Sequence, residues 1–386
     1  MDLRLYFDPP DFEFLQKEKK IGKHTLGHAV LKDTSSYNKG GKAKISVALM
    51  GVPNDSNTPN KGTAKAPDEI RKHLYNLSNF DASVKIVDMG NLKKGKTDND
   101  LYFALRDIID YQKENKIVTV ILGGGQDLSV GIARAYLDDK KFSLAVADAR
   151  VDMKTSREVS SASNFVSRIL RENPTLFHLQ FIGLQSHFVP PATLDFLKNN
   201  TFAFLQLGRI RDDCSAMEPV LRNTNFLSFD ISAVRHADAP GQSNASPNGF
   251  TGEEACMLAR YAGLSNRLST FGLFEANPQI DKSGMTASLA AQIVWYFLEG
   301  VTRRSREDPG IDKKAFKQYY VEMNNGEEPL VFYQHQATNR WWIELFYNEG
   351  DSIAIACSES DYKQTLCKEI PNIWWDYIRK TERLLK

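Results

Sequence analysis

The sequence predicts an α/β protein built on a parallel sheet covered on both faces. Three observations carry this. Short apolar runs alternate with amphipathic stretches from Ile45 to Gly300, the pattern of repeated strand–helix units. Several of the apolar runs end abruptly in a glycine, a proline or a carboxylate, as buried strands do where they open into loops. The composition is that of a folded soluble chain, with 42% apolar and 25% charged residues.

The elements follow in order. Residues 1–43 are polar and irregular, with Asp8-Pro-Pro10 and Asn38-Lys-Gly-Gly41, and read as a leader on the domain surface ending in a flexible link. Ile45–Met50 is a strand, and Pro67 opens a helix through Leu77. Val84–Val87 is a weak strand, Asp98–Glu114 an amphipathic helix and Ile117–Leu122 a β-branched strand entering Gly123-Gly-Gly125. Leu128–Leu137 is helical and Phe142–Ala147 a strand. Helices over Asn164–Arg171, Ala192–Asn199, Glu253–Ala262 and Thr286–Gly300 alternate with strands at Phe177–Gly183, Phe202–Leu207, Asn225–Phe229 and Ser269–Phe274. A domain over 44–302 results. Residues 307–386 read as a small α+β appendage of antiparallel strands and a terminal helix, with Trp341, Trp342, Trp374 and Trp375 buried as packing anchors.

Several function classes are excluded at this level. The formal net charge of +1 gives no field to steer nucleic acid or an anionic membrane. No apolar run reaches the length of a membrane span. The first residues, MDLRLYFDPPDFEF, lack the basic and apolar segments of a signal peptide. Cys214, Cys256, Cys357 and Cys367 form no C-x-x-C pair, so reduced thiols in a cytoplasmic protein are expected.

The stretch Phe142–Asp152, FSLAVADARVD, organises the rest. Acidic groups at the C-terminal end of a parallel strand stand where open α/β sheets hold their ligands. If the extended conformation persists, Asp148, Arg150 and Asp152 share one side. Close carboxylates repel unless a cation lies between them, and that cation is either a metal or Arg150. Asp230, after the run at Asn225, and Glu275, after the run at Ser269, are placed to converge with them. Oxygen-rich sites suit Mg²⁺, Ca²⁺ or Mn²⁺. The bland readings are that strand-end aspartates cap helices or turn the chain and that Gly123-Gly-Gly125 is a tight turn. The latter has neither the Lys-Ser/Thr of a P-loop nor dinucleotide spacing. The seven histidines show no pairing at ligand spacing.

These segments, taken in order, resemble the ureohydrolases: arginase, agmatinase and formiminoglutamase. Gly51-Val-Pro-Asn-Asp55 with Gly62, Pro67 and Ile70-Arg71 resembles the family's first strand and "G…P..IR" segment. Gly123–Ser129 resembles GGDHS, Asp148–Asp152 resembles DAHxD, and Ser228–Gly241 resembles SFDxDxxDPxxAPG. Pro247–Thr251 and the stretch Glu275-Ala-Asn-Pro278, Asp281, Thr286-Ala287 resemble the closing motifs, and Ser161–Leu170 is most similar to the formiminoglutamase version. The resemblance covers about 44–302 and implies a three-layer α/β/α sandwich with a mostly parallel sheet of about eight strands. It further implies two Mn²⁺ ions bridged by a hydroxide that attacks a guanidino or formimino carbon. Asp152 and Glu275 are then catalytic, and Ser163, Asn164 and Arg150 line the substrate pocket.

Carried over residue by residue, half of the metal ligands have changed. Gln126 stands for the histidine of GGDHS, Arg150 for that of DAHxD and Ser232 for the second aspartate of SFDxD, while Asp148, Asp152 and Asp230 remain. Glutamine offers an amide oxygen, and arginine offers no lone pair at all. The preferred reading is therefore a family member whose binuclear site is largely lost, inactive or altered, with no metal or one weakly bound divalent ion. Arg150 is expected to pair with an aspartate of the cluster, and Gln126 to hydrogen-bond within it. The alternative is an active formiminoglutamase-like C–N (amidine) hydrolase using one metal or a non-standard site. A small amidine or guanidino ligand and a homo-oligomer are the expected partners.

Overall fold

The computed structural model describes residues 1–10, 22–32, 45–80, 84–154, 161–323, 329–348 and 351–381. The expected link at Asn38–Gly41 lies outside them. The main sheet has nine strands: β1 (Phe7–Asp8), β2 (Val47–Gly51), β3 (Ile86–Leu92), β4 (Val118–Leu122), β5 (Ser143–Ala147), β6 (His178–Leu184), β7 (Ala203–Gln206), β8 (Phe226–Asp230) and β9 (Thr270–Phe274). Their order is β1-β3-β2-β4-β9-β8-β5-β6-β7. Eight are parallel, and β1 adds a two-residue antiparallel edge beside β3.

Period-two alternation splits each strand between two cores. Val47, Leu49, Val120, Leu122, Ala145 and Ala147 face one core, which includes the helices Ala66–Leu74, Gly252–Leu264 and Met285–Thr302. Ala48, Met50, Ile121, Leu144 and Val146 face the other, with the helices Asp98–Glu114, Ser129–Arg134 and Phe165–Glu172. This is the three-layer sandwich expected from the sequence. Burial on both faces is why the strands read as continuous apolar runs.

The strand expected at Val84–Val87 is displaced and runs on through Asp88, Gly90 and Asn91 to Leu92. Those residues have poor strand propensity, but Arg71 holds them. Its guanidinium donates to both oxygens of Asp88, at 2.8 and 3.0 Å, to the Gly90 carbonyl at 3.0 Å and to Asn91 Oδ1 at 2.6 Å. Tyr75 also donates to Asp88. Burying Arg71 and Asp88 is tolerable because they pair with each other and their remaining groups are bonded, Arg71 also to Asp68 at 3.0 Å and Asp88 also by the Gly90 N–H at 2.8 Å.

Residues after 302 form a second sheet of β10 (Phe316–Val321), β11 (Leu330–His335), β12 (Trp341–Asn348) and β13 (Asp351–Cys357), antiparallel throughout, and two helices, Glu359–Leu366 and Asn372–Thr381. Arg222 anchors it. The Arg222 guanidinium donates to the carbonyls of Trp341 and Cys357, at 3.1 and 3.0 Å, and lies 4.3 Å from the Trp342 ring centre. Asn223 pairs through its amide with both backbone groups of Ala356, which closes part of the β13 edge. Trp341 and Trp342 are buried and Trp374 is half-buried, but Trp375 is 43% exposed. The expectation that all four are buried fails there, because adjacent helical positions cannot both face one core.

Candidate functional site

Four neighbouring strands, β4, β9, β8 and β5, deliver the candidate residues at their C-terminal ends. The chain leaves β5 toward β6 and β8 toward β9, in opposite directions. Such a divergence opens a crevice between the strand ends, the usual ligand position in an open α/β sheet. Asp148 follows Ala147, which is in register with Phe229, so Asp148 and Asp230 sit side by side.

Asp148, Asp152 and Asp230 present carboxylate oxygens within 4.8 Å of one another, and among the described residues no histidine or cysteine joins this group. Asp148 and Asp230 are buried, and Asp152 is partly exposed at the rim. Burial, and then the charges of Asp152 and Asp230, push the Asp148 carboxyl well up from its ordinary range. Burial and the Asp230 charge raise Asp152 to about 7, and burial raises Asp230 to about 6. Desolvation disfavours each charge, and the cluster adds repulsion.

The extended course needed to align Asp148, Arg150 and Asp152 ends at Ala147. Asp148 Oδ1 accepts the Arg150 backbone N–H at 2.8 Å and turns the chain. Arg150 forms no ion pair with the three aspartates, contrary to expectation. Its guanidinium carbon lies 4.1 Å from the Phe188 ring centre, and its Nη1 is buried without a partner. The expectation took the aspartates as ionised. Burial favours their protonated forms instead, and a cation–π stack spares the cost of burying an ion pair. Ser232 contributes its backbone N–H to Asp230 Oδ1 at 2.6 Å.

Gln126 does not bond to the aspartates. Its Nε2 donates to Ser228 Oγ at 3.1 Å and its backbone N–H to Glu275 Oε1 at 2.8 Å. Gln126 Oε1 is buried and unpartnered. Gly123-Gly-Gly125 is the tight turn of the bland reading: a Cβ on Gly124 would lie 1.9 Å from the Asn54 carbonyl oxygen. Glu275 has φ +64, a left-handed conformation that costs a bulky residue about 1–2 kcal/mol. Its N–H bonds the Gly124 carbonyl, and the Asn60 amide bonds its own carbonyl. Its Oε2 accepts Thr58 Oγ1 at 2.9 Å and Asn60 Nδ2 at 3.1 Å. Burial and then the Asp230 charge raise Glu275 to about 8.

Ser163 and Asn164 lie on the segment that is tied to Asp152 and Asn57 through its backbone. The Val166 N–H bonds the Asp152 carbonyl and the Ala162 N–H bonds the Asn57 carbonyl. Asn57, Thr58, Asn60, Ser228 and Phe188 went unread in the sequence. The first three sit on the loop after β2, and their only signal was a polar run following a buried strand. Ser228 lies inside a quoted motif, but Phe188 carried no signal.

The profile of the arginase family matches residues 45–299, more than half of the chain. The chain belongs to the arginase family. Among curated relatives of this arginase-family protein is the formimidoylglutamase of Enterobacter sp. (strain 638), 24% identical over 267 residues that cover 66% of this chain and 85% of that protein. Among solved structures, the Trypanosoma cruzi formiminoglutamase with Mn²⁺ covers 69% of this chain and 97% of its own, with TM-score 0.63 and 19% identity. The formimidoylglutamase of Bacillus subtilis covers 68% and 89%, with TM-score 0.62 and 21% identity. At these identities the solved structures establish the fold. The chain is formiminoglutamase-like, and among the described residues no helix is long and apolar enough to cross a membrane.

Proposed function

We propose that this arginase-family protein has lost two-ion hydrolysis and keeps a one-cation acidic pocket. One observation carries this: among the described residues, the carboxylates that converge are those of Asp148, Asp152 and Asp230. Three carboxylates suit one hard divalent ion. A second ion needs further donors. Arg150 offers no lone pair and is turned onto Phe188. Ser232 offers only a neutral hydroxyl, far weaker than a carboxylate. Asp148 and Asp230 each already commit Oδ1 to a backbone N–H. When bound, a divalent ion would polarise an oxygen or nitrogen of a small ligand in the crevice. Asp148, Asp152 and Asp230 would hold that ion. Ser163 and the buried Asn164 would take the rest of the ligand, an amidine or guanidino compound.

A second reading is favoured by Glu275. Its strained backbone and fully bonded carboxyl beside Asp230 are the kind of local cost that persists at working sites. On that reading the protein is a one-metal amidine hydrolase. Metal titration and a formimidoylglutamate hydrolysis assay on one preparation separate the possibilities. One equivalent of Mn²⁺ without hydrolysis supports the first reading, and one equivalent with hydrolysis supports the second. Two equivalents of tightly bound Mn²⁺ would overturn both.

A further inference from the structure

Gln126 is fully buried and belongs to neither polar network completely. Its amide nitrogen is used by Ser228 and its backbone N–H by Glu275, while Oε1 has no donor. A buried acceptor without a partner costs about 1–3 kcal/mol, so native folds seldom keep one without cause. Its surroundings suggest the cause. Ser228 precedes Asp230 by two residues on β8, so both project from the same face of the strand. Glu275, which takes the Gln126 backbone N–H, lies within the field of Asp230. The orphaned oxygen therefore belongs to the same end of the crevice as the triad. Acceptors crowd there, and a positive charge would satisfy them together.

We infer that Gln126 Oε1 is the fourth protein ligand of a cation held by Asp148, Asp152 and Asp230, which makes the site all-oxygen and directs it to hard divalent ions such as Ca²⁺, Mg²⁺ and Mn²⁺. This rests on the one-cation reading above. The consequence is selectivity. Carboxylate and carbonyl oxygens suit Mg²⁺, Ca²⁺ and Mn²⁺, whereas imidazole favours Zn²⁺, Cu²⁺ and Ni²⁺. Among the described residues the group contains neither histidine nor cysteine, so these residues give the site no imidazole or thiolate with which to hold the softer metals. Ser228 Oγ takes Nε2, and in that arrangement the oxygen is the end left for the ion. Ser228 Oγ is itself tied to Ser129 Oγ at 2.8 Å, and such outer contacts commonly fix the ligand atom presented to a metal.

The test uses full-length, chelator-treated protein titrated calorimetrically with Ca²⁺, Mn²⁺ and Zn²⁺ in turn, beside Gln126→Leu and Gln126→His. The wild type should bind one equivalent of Ca²⁺ or Mn²⁺. Gln126→Leu should weaken both by at least about tenfold, since a direct ligand is worth no less than an outer partner. Gln126→His should raise the Zn²⁺/Ca²⁺ affinity ratio by about tenfold or more. Pulsed electron paramagnetic resonance of the Mn²⁺ form gives an independent readout. Nitrogen modulation should be absent from the wild type and appear in Gln126→His. Far-UV circular dichroism checks that each variant folds, and if Gln126→Leu does not, the Gln126→His ratio and spectrum still decide. No binding of any ion by the wild type would remove the one-cation reading itself. Binding of one ion with a Gln126→Leu affinity equal to the wild type, or an unchanged ratio in Gln126→His, would overturn only the role of Gln126.

Discussion

Replacing Asp152 with asparagine should stabilise the metal-free protein, and more so at alkaline pH. The carboxyl titrates near 7 in the fold against an ordinary value of 3.8. Each tenfold change in proton affinity is worth about 1.4 kcal/mol, so full ionisation of Asp152 costs the fold about 4 kcal/mol. The sign follows from linkage. A carboxyl whose folded value is raised binds its proton more tightly in the folded chain, so its contribution is fully present below 3.8 and is lost as pH rises through 7. Most of that loss falls between pH 5 and pH 8, where Asp152 alone should remove about 2–3 kcal/mol. Asp230, raised to about 6, adds in the same direction, but the cluster titrates as a unit and the contributions are not summed. Asparagine removes the charge and keeps a donor and an acceptor for Asp148.

The assay is urea denaturation in chelator at pH 5 and pH 8, followed by far-UV circular dichroism. Tryptophan emission would report mainly the tail, which holds Trp341, Trp342, Trp374 and Trp375. Asp152→Asn should gain about 2–3 kcal/mol more over the wild type at pH 8 than at pH 5. Comparing variant with wild type at each pH cancels the other carboxyls, including Glu172 and Asp238, which are lowered by arginine partners and act oppositely. An equal gain at both values, or a less stable variant at pH 8, would refute the argument that crowding and burial leave the triad short of a cation. Saturating Ca²⁺ should reverse the wild-type trend, because binding requires deprotonated ligands.

Other perturbations address neighbouring elements. Arg150→Met should change Ca²⁺ or Mn²⁺ affinity by less than about tenfold, and upward, because it removes a like charge that acts on Asp152 and Asp230 only at a distance; calorimetry that found a large loss would show the guanidinium supporting the site. Asp88→Ala leaves the buried Arg71 charge with only its single ion pair to the half-exposed Asp68 and should cost about 3–5 kcal/mol in denaturant unfolding, whereas a cost near zero would mean that Asp68 or water compensates the charge. Arg222→Ala leaves the Trp341 and Cys357 carbonyls without their donor and should cost about 2–4 kcal/mol, read as earlier proteolysis of the segment after residue 302. Thr58→Val removes one hydrogen bond to Glu275 and should lower stability by about 1–2 kcal/mol in the same denaturation assay.

The sheet was legible because its strands are buried on both faces and alternate with amphipathic helices. Ile117–Leu122 and Phe142–Ala147 needed no tertiary information. What stayed hidden was held by distant partners. Asp88, Gly90 and Asn91 look like a turn in sequence and become strand because Arg71, on a neighbouring helix, bonds three of their groups. The N-terminal segment gave no strand signal at Phe7–Asp8, yet the open edge of β3 recruits it. At the site, the convergence of Asp148, Asp152 and Asp230 followed from strand-end position alone. The direction of Arg150 did not, because it depends on Phe188, which arrives from the turn after β6.

That direction changes how the three substitutions are to be weighed. A guanidinium lodged among the carboxylates would take the place of a metal and exclude one. Turned onto Phe188, it leaves the carboxylates facing one another, and burial then favours protons on them. A proton is a replaceable cation, whereas a covalently tethered guanidinium is not. The substitution at Gln126 exchanges one neutral lone-pair donor for another, and that at Ser232 leaves a hydroxyl. Arg150 alone removes a donor outright, and the fold moves its charge aside. Arg150 and Ser232 therefore weaken the place of a second ion, while Gln126 keeps a lone pair for the first, which is the arrangement the proposed pocket needs if it is to exchange a proton for a single hard cation.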